Sequence, residues 1–213
     1  MTTKVLLIED NPSDSVLIKE NIMLEGGGFD VSTAGTLKGG LSAGDGFDVV
    51  LLDMWLPDSE GIETLVKFRK TREKVPVIII TGLDNSEMSI KALQAGAQDY
   101  IVKDNLDGKA LIRAIRYAIE RRAITDSLEN SRLDLQRVID SAPIMMFVLG
   151  PGMDVKKCNR AVADFTGASQ ADSHGKRPGE ILKCESCEKA AGRCMETEIC
   201  KKCPFYLYYN KAV

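Results

Sequence analysis

The chain has 213 residues, 44% of them hydrophobic, and a net charge of −3, which leaves room for one or two domains with an ordinary buried core. No apolar run approaches the ~18 residues of a membrane-spanning helix, and Met1-Thr2-Thr3-Lys4 leads directly into a strand pattern without a secretion signal, so the sequence predicts a cytoplasmic protein with no membrane contact. Residues 1–103 carry 16 acids against 10 bases and the remainder 15 against 18, but no helix-turn-helix or aromatic-basic pattern points to direct nucleic-acid binding.

Val5-Leu6-Leu7-Ile8 reads as a first strand and ends on Glu9 and Asp10. Asn11-Pro12 then supplies an N-cap and a first-turn proline, and Val16, Leu17, Ile18, Ile22 and Leu24 form a stripe expected to be buried, up to the stop at Gly26-Gly27-Gly28. Phe29 to Thr33 is a weaker strand, and Thr36 to Ala43 a short, glycine-interrupted helix. Val49-Val50-Leu51-Leu52 ends on Asp53, and Ile62, Leu65, Val66 and Phe68 mark a helix from Gly61 to Thr71. Val77-Ile78-Ile79-Ile80 ends on Thr81, and Met88, Ile90, Ala92 and Leu93 mark a helix from Asn85 to Ala95. Tyr100-Ile101-Val102 ends on Lys103.

Uninterrupted β-branched and leucine runs of this length are strands buried on both faces, as in a parallel sheet covered by helices. Five alternations of strand and helix in the first ~120 residues predict an α/β doubly wound fold and disfavour a sandwich. Ligands of such sheets bind at the carboxyl ends of the strands, so Glu9, Asp10, Asp53, Thr81 and Lys103 are expected along one sheet edge.

From Leu106 onward neither Gly nor Pro occurs between Gly108 and Pro143, which predicts one long helix. Ile112, Ile115 and Ile119 follow helical spacing, as do Ile124, Leu128, Ser131, Leu135 and Val138, but the two series are out of phase near Arg121 to Thr125. The first series fits packing on its own domain, the second a short coiled coil joined by a stutter. Ile144 to Leu149, Gly150-Pro151-Gly152 and Asp154 to Cys158 read as a hairpin, followed by a short helix from Asn159 to Phe165 before Gly167 and an irregular, cysteine-rich remainder.

Glu9, Asp10 and Asp53 placed together repel one another unless a cation is bound or a proton retained, and oxygen ligands with open water positions suit Mg²⁺. An aspartate can accept a phosphoryl group as an acyl phosphate while a metal and a lysine neutralise the transferring oxygens, roles that suit Lys103 and Thr81. Any one of these residues could be a solvated strand end, but five together are poorly explained that way.

Through Glu9-Asp10-Asn11-Pro12, Asp53 with Pro57 and Gly61, Thr81-Gly82 and Asp99-Tyr100-Ile101-Val102-Lys103, residues 1–122 resemble the receiver domain of two-component response regulators. The resemblance implies a flavodoxin-like five-stranded parallel sheet of order 2-1-3-4-5 with an extended last helix. It implies that Asp53 accepts a phosphoryl group from a partner histidine kinase or phosphotransfer protein, and that Asp10, Asp53 and the Trp55 backbone carbonyl hold Mg²⁺, with Glu9 supporting through water. Lys103 would bind the acidic cluster and then the phosphoryl oxygen, Thr81 would be drawn toward it, and Tyr100 would turn inward, switching the surface of the fourth helix, fifth strand and fifth helix. Beyond catalysing its own phosphoryl transfer and dephosphorylation, such a domain is not expected to be an enzyme. The family usually has proline after the lysine, often with a cis bond; here Asp104 follows, and a trans bond is expected because a non-proline cis bond costs ~3 kcal/mol. Haloacid dehalogenase-type phosphatases also use a strand-end aspartate with Mg²⁺, but they carry an acid two residues later, where this chain has Trp55, and use their first strand.

Residues 134 to about 182 resemble the start of a PAS domain through Val138-Ile139-Asp140-Ser141-Ala142-Pro143, the hairpin and Asn159-Arg160-Ala161. The organisation read from sequence is therefore a receiver at 1–122, a helical coiled-coil linker at 123–140 and a smaller, partial α+β PAS-like region at 141–213, with homodimerisation through the receiver or the linker. All six cysteines lie between Cys158 and Cys203, which in a cytosolic chain favours metal over disulfides. Cys184-x2-Cys187 and Cys200-x2-Cys203 form two knuckles suited to Zn²⁺ or an iron–sulfur cluster, with Cys194 as an extra thiol between them and Cys158 as a small core residue. His174 is the sole histidine, so the chain carries no phosphohistidine helix motif and reads as an acceptor rather than a kinase. The alternative function is an unphosphorylated docking module with the PAS-like region as a metal- or redox-sensing input.

Overall fold

The computed structural model describes residues 2–25, 28–82, 86–103, 106–189, 194, 198–204 and 207. They form two compact units, Met1–Leu128 and Glu129–Val213.

In the first unit the strands β1 (Thr3–Ile8), β2 (Phe29–Ala34), β3 (Val49–Asp53), β6 (Val77–Thr81) and β7 (Asp99–Val102) pair in parallel in the order β2-β1-β3-β6-β7. This is the flavodoxin-like order expected from the resemblance. Because strand side chains alternate between faces, each apolar run serves two cores. Val5, Leu7, Val49, Leu51, Ile78 and Ile80 face Ile18 and Ile22 of α1 (Pro12–Leu24) and Leu111, Ile112 and Ile115 of α5 (Gly108–Ser141). Leu6, Ile8, Val50, Leu52, Val77 and Ile79 face Leu37 of α2 (Leu37–Ser42), Leu65 and Phe68 of α3 (Ile62–Thr71) and Ala92 of α4 (Ser86–Gln94). A small hairpin of β4 (Trp55–Leu56) and β5 (Ser59–Glu60), absent from the sequence reading, follows β3.

The apolar stripes are narrower than expected. On α1 only Ile18 and Ile22 are buried, while Val16, Leu17 and Leu24 are exposed. A helix lying on one sheet face buries an arc of roughly 100°, and residues two positions apart fall on opposite sides of it. For the same reason Val66 of α3 and Ile90 and Leu93 of α4 face outward. The Gly26-Gly27 stop, the expected helix start at Asn85 and the Lys103–Asp104 bond lie outside the described residues.

Helix caps come from afar as well as from neighbours. Asn11 accepts from Ser13 N and Thr36 from Gly39 N, as their positions predict. Asp58, from the turn between β4 and β5, also accepts from Leu37 N and Lys38 N at 2.8 and 2.9 Å, which ties the glycine-weakened α2 to the sheet edge. Burial acts to raise the Asp58 pKa, but the backbone bonds from Lys38 and Leu37 together outweigh it and lower the pKa.

α5 runs unbroken through the boundary between the units, as the lack of Gly and Pro predicts. Leu111, Ile112, Ala114, Ile115 and Ala118 are buried, whereas Ile124, Leu128, Leu135 and Val138 are 62%, 70%, 64% and 66% exposed.

In the second unit, β8 (Phe147–Leu149) and β9 (Val155–Cys158) form the expected antiparallel hairpin, but the first strand is shorter: Ile144, Met145 and Met146 are exposed and outside it. The cause is Asn159, whose buried side chain donates to Ile139 O and Ile144 O at 3.0 and 2.8 Å and accepts from Met146 N at 3.0 Å. So employed, Asn159 cannot cap α6 (Arg160–Thr166) with its side chain; Asp140 does so instead, accepting from Arg160 N at 3.0 Å. Cys158 is buried with Val155, Val162 and Ile181. The remainder, expected to be irregular, folds into short helices: α7 (Gln170–Ser173), α8 (Pro178–Ile181), α9 (Glu185–Lys189) and a 3₁₀ turn at Glu198–Lys202.

Gly40 of α2 faces Ile8, and a Cβ there would overlap Ile8 Cδ1 and lie 2.7 Å from Cγ1. Gly40→Ala is expected to destabilise the first unit by about 1–3 kcal/mol in urea unfolding, with Ile8→Val recovering part of the loss in the double variant.

Candidate functional site

Strand register assembles the site. Ile8 pairs with Leu52, Asp53 with Ile80, and Thr81 with Val102, so the residues that end these strands emerge along one edge. Glu9, Asp53 and Thr81 are all buried there, Thr81 only 1% exposed, while Asp10 is exposed.

The Lys103 ammonium lies 2.6 Å from Glu9 Oε2, 2.6 Å from Asp53 Oδ2 and 3.0 Å from Asp14 Oδ2. Trp55 N donates to the other Asp53 oxygen at 3.1 Å, and Asn11 N to Glu9 Oε1 at 3.1 Å. Burial alone would lower the Lys103 pKa, but bonds to Asp53, Glu9 and Asp14 together outweigh it and hold the pKa above its usual value. Glu9 shifts the other way from a salt-bridged carboxylate. Burial raises its pKa, the bond to Lys103 offsets part of this, and the neighbouring Asp53 charge raises it further.

Asp14 was not among the sequence candidates. It sits in the first turn of α1, where an acid is explained by the helix dipole alone, and 89 positions separate it from Lys103.

Ligand oxygens of Glu9, Asp10 and Asp53 lie within 4.8 Å of one another, the group of metal-binding type that converges so closely among the described residues. Three carboxylates, one of them exposed, offer hard oxygen donors with a side open to water, a set that fits Mg²⁺. Trp55, the expected carbonyl ligand, directly follows Met54 after β3 and opens β4. Tyr100 is half-buried against the core cluster that contains Ile79 and Ala92.

A sheet of this order with an acidic cluster and a lysine at its carboxyl edge is the arrangement of a receiver domain, and the comparisons agree. The profile of the response regulator receiver domain family matches residues 5–116, and the chain belongs to that family. A PAS domain profile matches residues 134–199. The cell cycle response regulator CtrA of Brucella ovis is 34% identical over 122 residues, 56% of this chain and 51% of the relative; the chain thus spans about half the length of the curated relatives it matches. A CheY-like receiver domain protein of Methanospirillum hungatei is 29% identical over 59% of this chain and 99% of its own, with a TM-score of 0.52. A receiver domain protein of Clostridium thermocellum is 30% identical over 58% and 98%, with a TM-score of 0.51. Among the described residues no helix is long and apolar enough to cross a membrane.

Cys184, Cys194, Cys200 and Cys203 line one cavity, while the Cys187 side chain lies outside the described residues. His174 follows α7 as an exposed C-cap.

Because Glu9 keeps its proton to a higher pH in the folded protein than when unfolded, its contribution to stability is fullest below 4.5 and declines as pH rises through its raised folded value. In metal-free thermal unfolding, the difference in Tm between Glu9→Gln and the native chain is therefore expected to move in favour of the variant as pH goes from 4.5 to 7. A difference that does not change with pH would remove Glu9 as the titrating group.

Proposed function

We propose that the first unit is a phosphoacceptor switch of a two-component phosphorelay, with Asp53 as the acceptor. The observation that carries this reading is the Lys103 ammonium bound simultaneously to Asp53 and Glu9 at the carboxyl edge of the sheet, with buried Thr81 on the adjoining strand. An Asp53 carboxylate oxygen attacks phosphorus of a phosphohistidine on a partner histidine kinase or phosphotransfer protein; the P–O bond forms as the N–P bond breaks, and the departing imidazole regains a proton. Lys103 orients the acceptor and neutralises charge on the transferred oxygens, and the Trp55 amide holds the second carboxylate oxygen. Mg²⁺ held by Asp10, Asp53 and the Trp55 carbonyl, with Glu9 in support, supplies further neutralisation when bound. The chain performs this transfer on itself, and water then hydrolyses the acyl phosphate to inorganic phosphate and the free Asp53 carboxylate; it acts on no other substrate.

The phosphoryl group replaces one carboxylate charge with about two on a larger group, which draws Lys103 and the Thr81 hydroxyl toward it. Withdrawal of Thr81 leaves space for Tyr100 from β7, and the surface of α4, β7 and α5 changes with it. The exposed stripe Ile124, Leu128, Leu135 and Val138, with Ser131 completing its alternating four- and three-residue steps, pairs α5 with a second copy as a short coiled coil. The switch acts inside the cytoplasm without entering the membrane.

Incubation with a small phosphodonor such as acetyl phosphate and Mg²⁺ is expected to add one phosphoryl group by intact mass, and Asp53→Asn or chelation of Mg²⁺ to abolish it. In a cell, a phenotype unchanged by Asp53→Asn would assign the domain to docking instead. Leu128→Glu with Leu135→Glu is expected to convert a dimer to a monomer in sedimentation equilibrium; an unchanged mass would place the self-association, if any, outside the linker.

A further inference from the structure

α5 presents two faces. Leu111, Ile112, Ile115 and Ala118 are buried against the sheet, while Tyr117 and Ile124 are 59% and 62% exposed. On a helix, positions seven apart fall within about 20° of each other, so Tyr117 lies on the line of Ile124 and not on the buried stripe. With Arg121 between them, alternating four- and three-residue steps run unbroken from Tyr117 through Arg121, Ile124, Leu128, Ser131 and Leu135 to Val138. We infer that the surface pairing with a second copy begins on the receiver itself, at Tyr117, where Arg121 of each copy inserts beside Glu120 and Tyr117 of the other in a parallel dimer. This extends the pairing of α5 proposed above, on which it rests, by naming the residues that set its partner and direction. The phase break between the two apolar series is then the change from an inward to an outward face of one helix.

Charge points to a second copy as the occupant. Arg122 pairs with Asp126, and Arg137 with Asp134, within the chain. The exposed side chains of Glu120 and Arg121, by contrast, make no ion pair or hydrogen bond with any described residue. In heptad terms Arg121, Leu128 and Leu135 take position a, Tyr117, Ile124, Ser131 and Val138 take position d, and Glu120 falls at g. In a parallel dimer each a side chain enters a hole formed by four residues of the facing helix, which for Arg121 are Tyr117, Glu120, Arg121 and Ile124. Two arginines in one layer repel each other, and this hole answers the repulsion with a carboxylate for the guanidinium and an aromatic face for it to lie on. An antiparallel pair overlapping the whole stripe would set Arg121 opposite Asp134, already bonded to Arg137 at 3.0 Å, and would leave Glu120 without a cation. Tyr117 also lines, with Tyr100 and Arg113, a cavity of about 170 Å³, so the seam starts beside the residue proposed to move on phosphorylation.

The test is charge reversal, read as the dimer Kd in sedimentation equilibrium of the full chain at low salt. Glu120→Arg and Arg121→Glu are each expected to raise Kd by about tenfold or more, because each places like charges in the same hole. The double variant, with the two charges exchanged, is expected to return to within about threefold of the native Kd, which also shows that the single variants fold. Leu128→Glu with Leu135→Glu separates this inference from the pairing beneath it. Dissociation by that variant while both charge reversals leave Kd unchanged, or while the double variant is as weak as the singles, would keep the linker pairing and overturn the seam at Glu120 and Arg121. A native chain that is monomeric at every concentration, or a dimer that survives Leu128→Glu with Leu135→Glu, would overturn both.

Discussion

Lys103 carries one positive charge into a space where Glu9, Asp14 and Asp53 each present an oxygen within 3.0 Å. Without that ammonium, the buried carboxylates of Glu9 and Asp53 at the ends of β1 and β3 would face one another with little solvent to screen them, which favours a retained proton on one. The raised Glu9 pKa shows that the balance is incomplete even so. The edge is therefore held in a state that further positive charge relieves, and a change of charge on Asp53 redistributes the lysine's three contacts. A site built this way is electrostatically loaded, so any change of charge at Asp53 is felt by Glu9 and Asp14 through the shared lysine.

The rest of the first unit keeps that edge in place. Both faces of the sheet are covered, so the strand ends have little freedom to retreat, and the register pairs fix Asp53 beside β6 and Thr81 beside β7 to within one residue. α2, six residues long and carrying two glycines, is held by Asp58 from the turn that follows Asp53. A shift of that turn is thereby coupled to α2 through two charge-assisted hydrogen bonds, which are individually stronger than bonds between neutral groups. In the second unit the same device recurs: Asp140, near the end of α5, caps α6, and Asn159 binds the carbonyl of Ile139 while fixing the start of the hairpin. The end of α5 is thus hydrogen-bonded into the PAS-like fold rather than tethered to it by loose chain.

How far sequence alone reached is visible in these particulars. Strand runs ending on Glu9, Asp53, Thr81 and Lys103 were legible because two-faced burial needs an unbroken apolar run and a buried polar end is then conspicuous. The single long α5 was legible from the absence of breakers. Asp14 was not, because an acid in a helix's first turn already has a local reason, and only the folded sheet carries Lys103 to it. Nor were the caps from Asp58 and Asp140, which act across 20 to 21 positions and leave no short-range spacing to read. Periodicity also overstated burial on α1, since Val16 and Leu17 fit the apolar composition of a stripe but not its angle. At the cysteines, CxxC spacing picked out two pairs and left Cys194 as an extra thiol, yet Cys194 lines the same cavity as Cys184, Cys200 and Cys203, its carbonyl held by Arg177 from far along the chain.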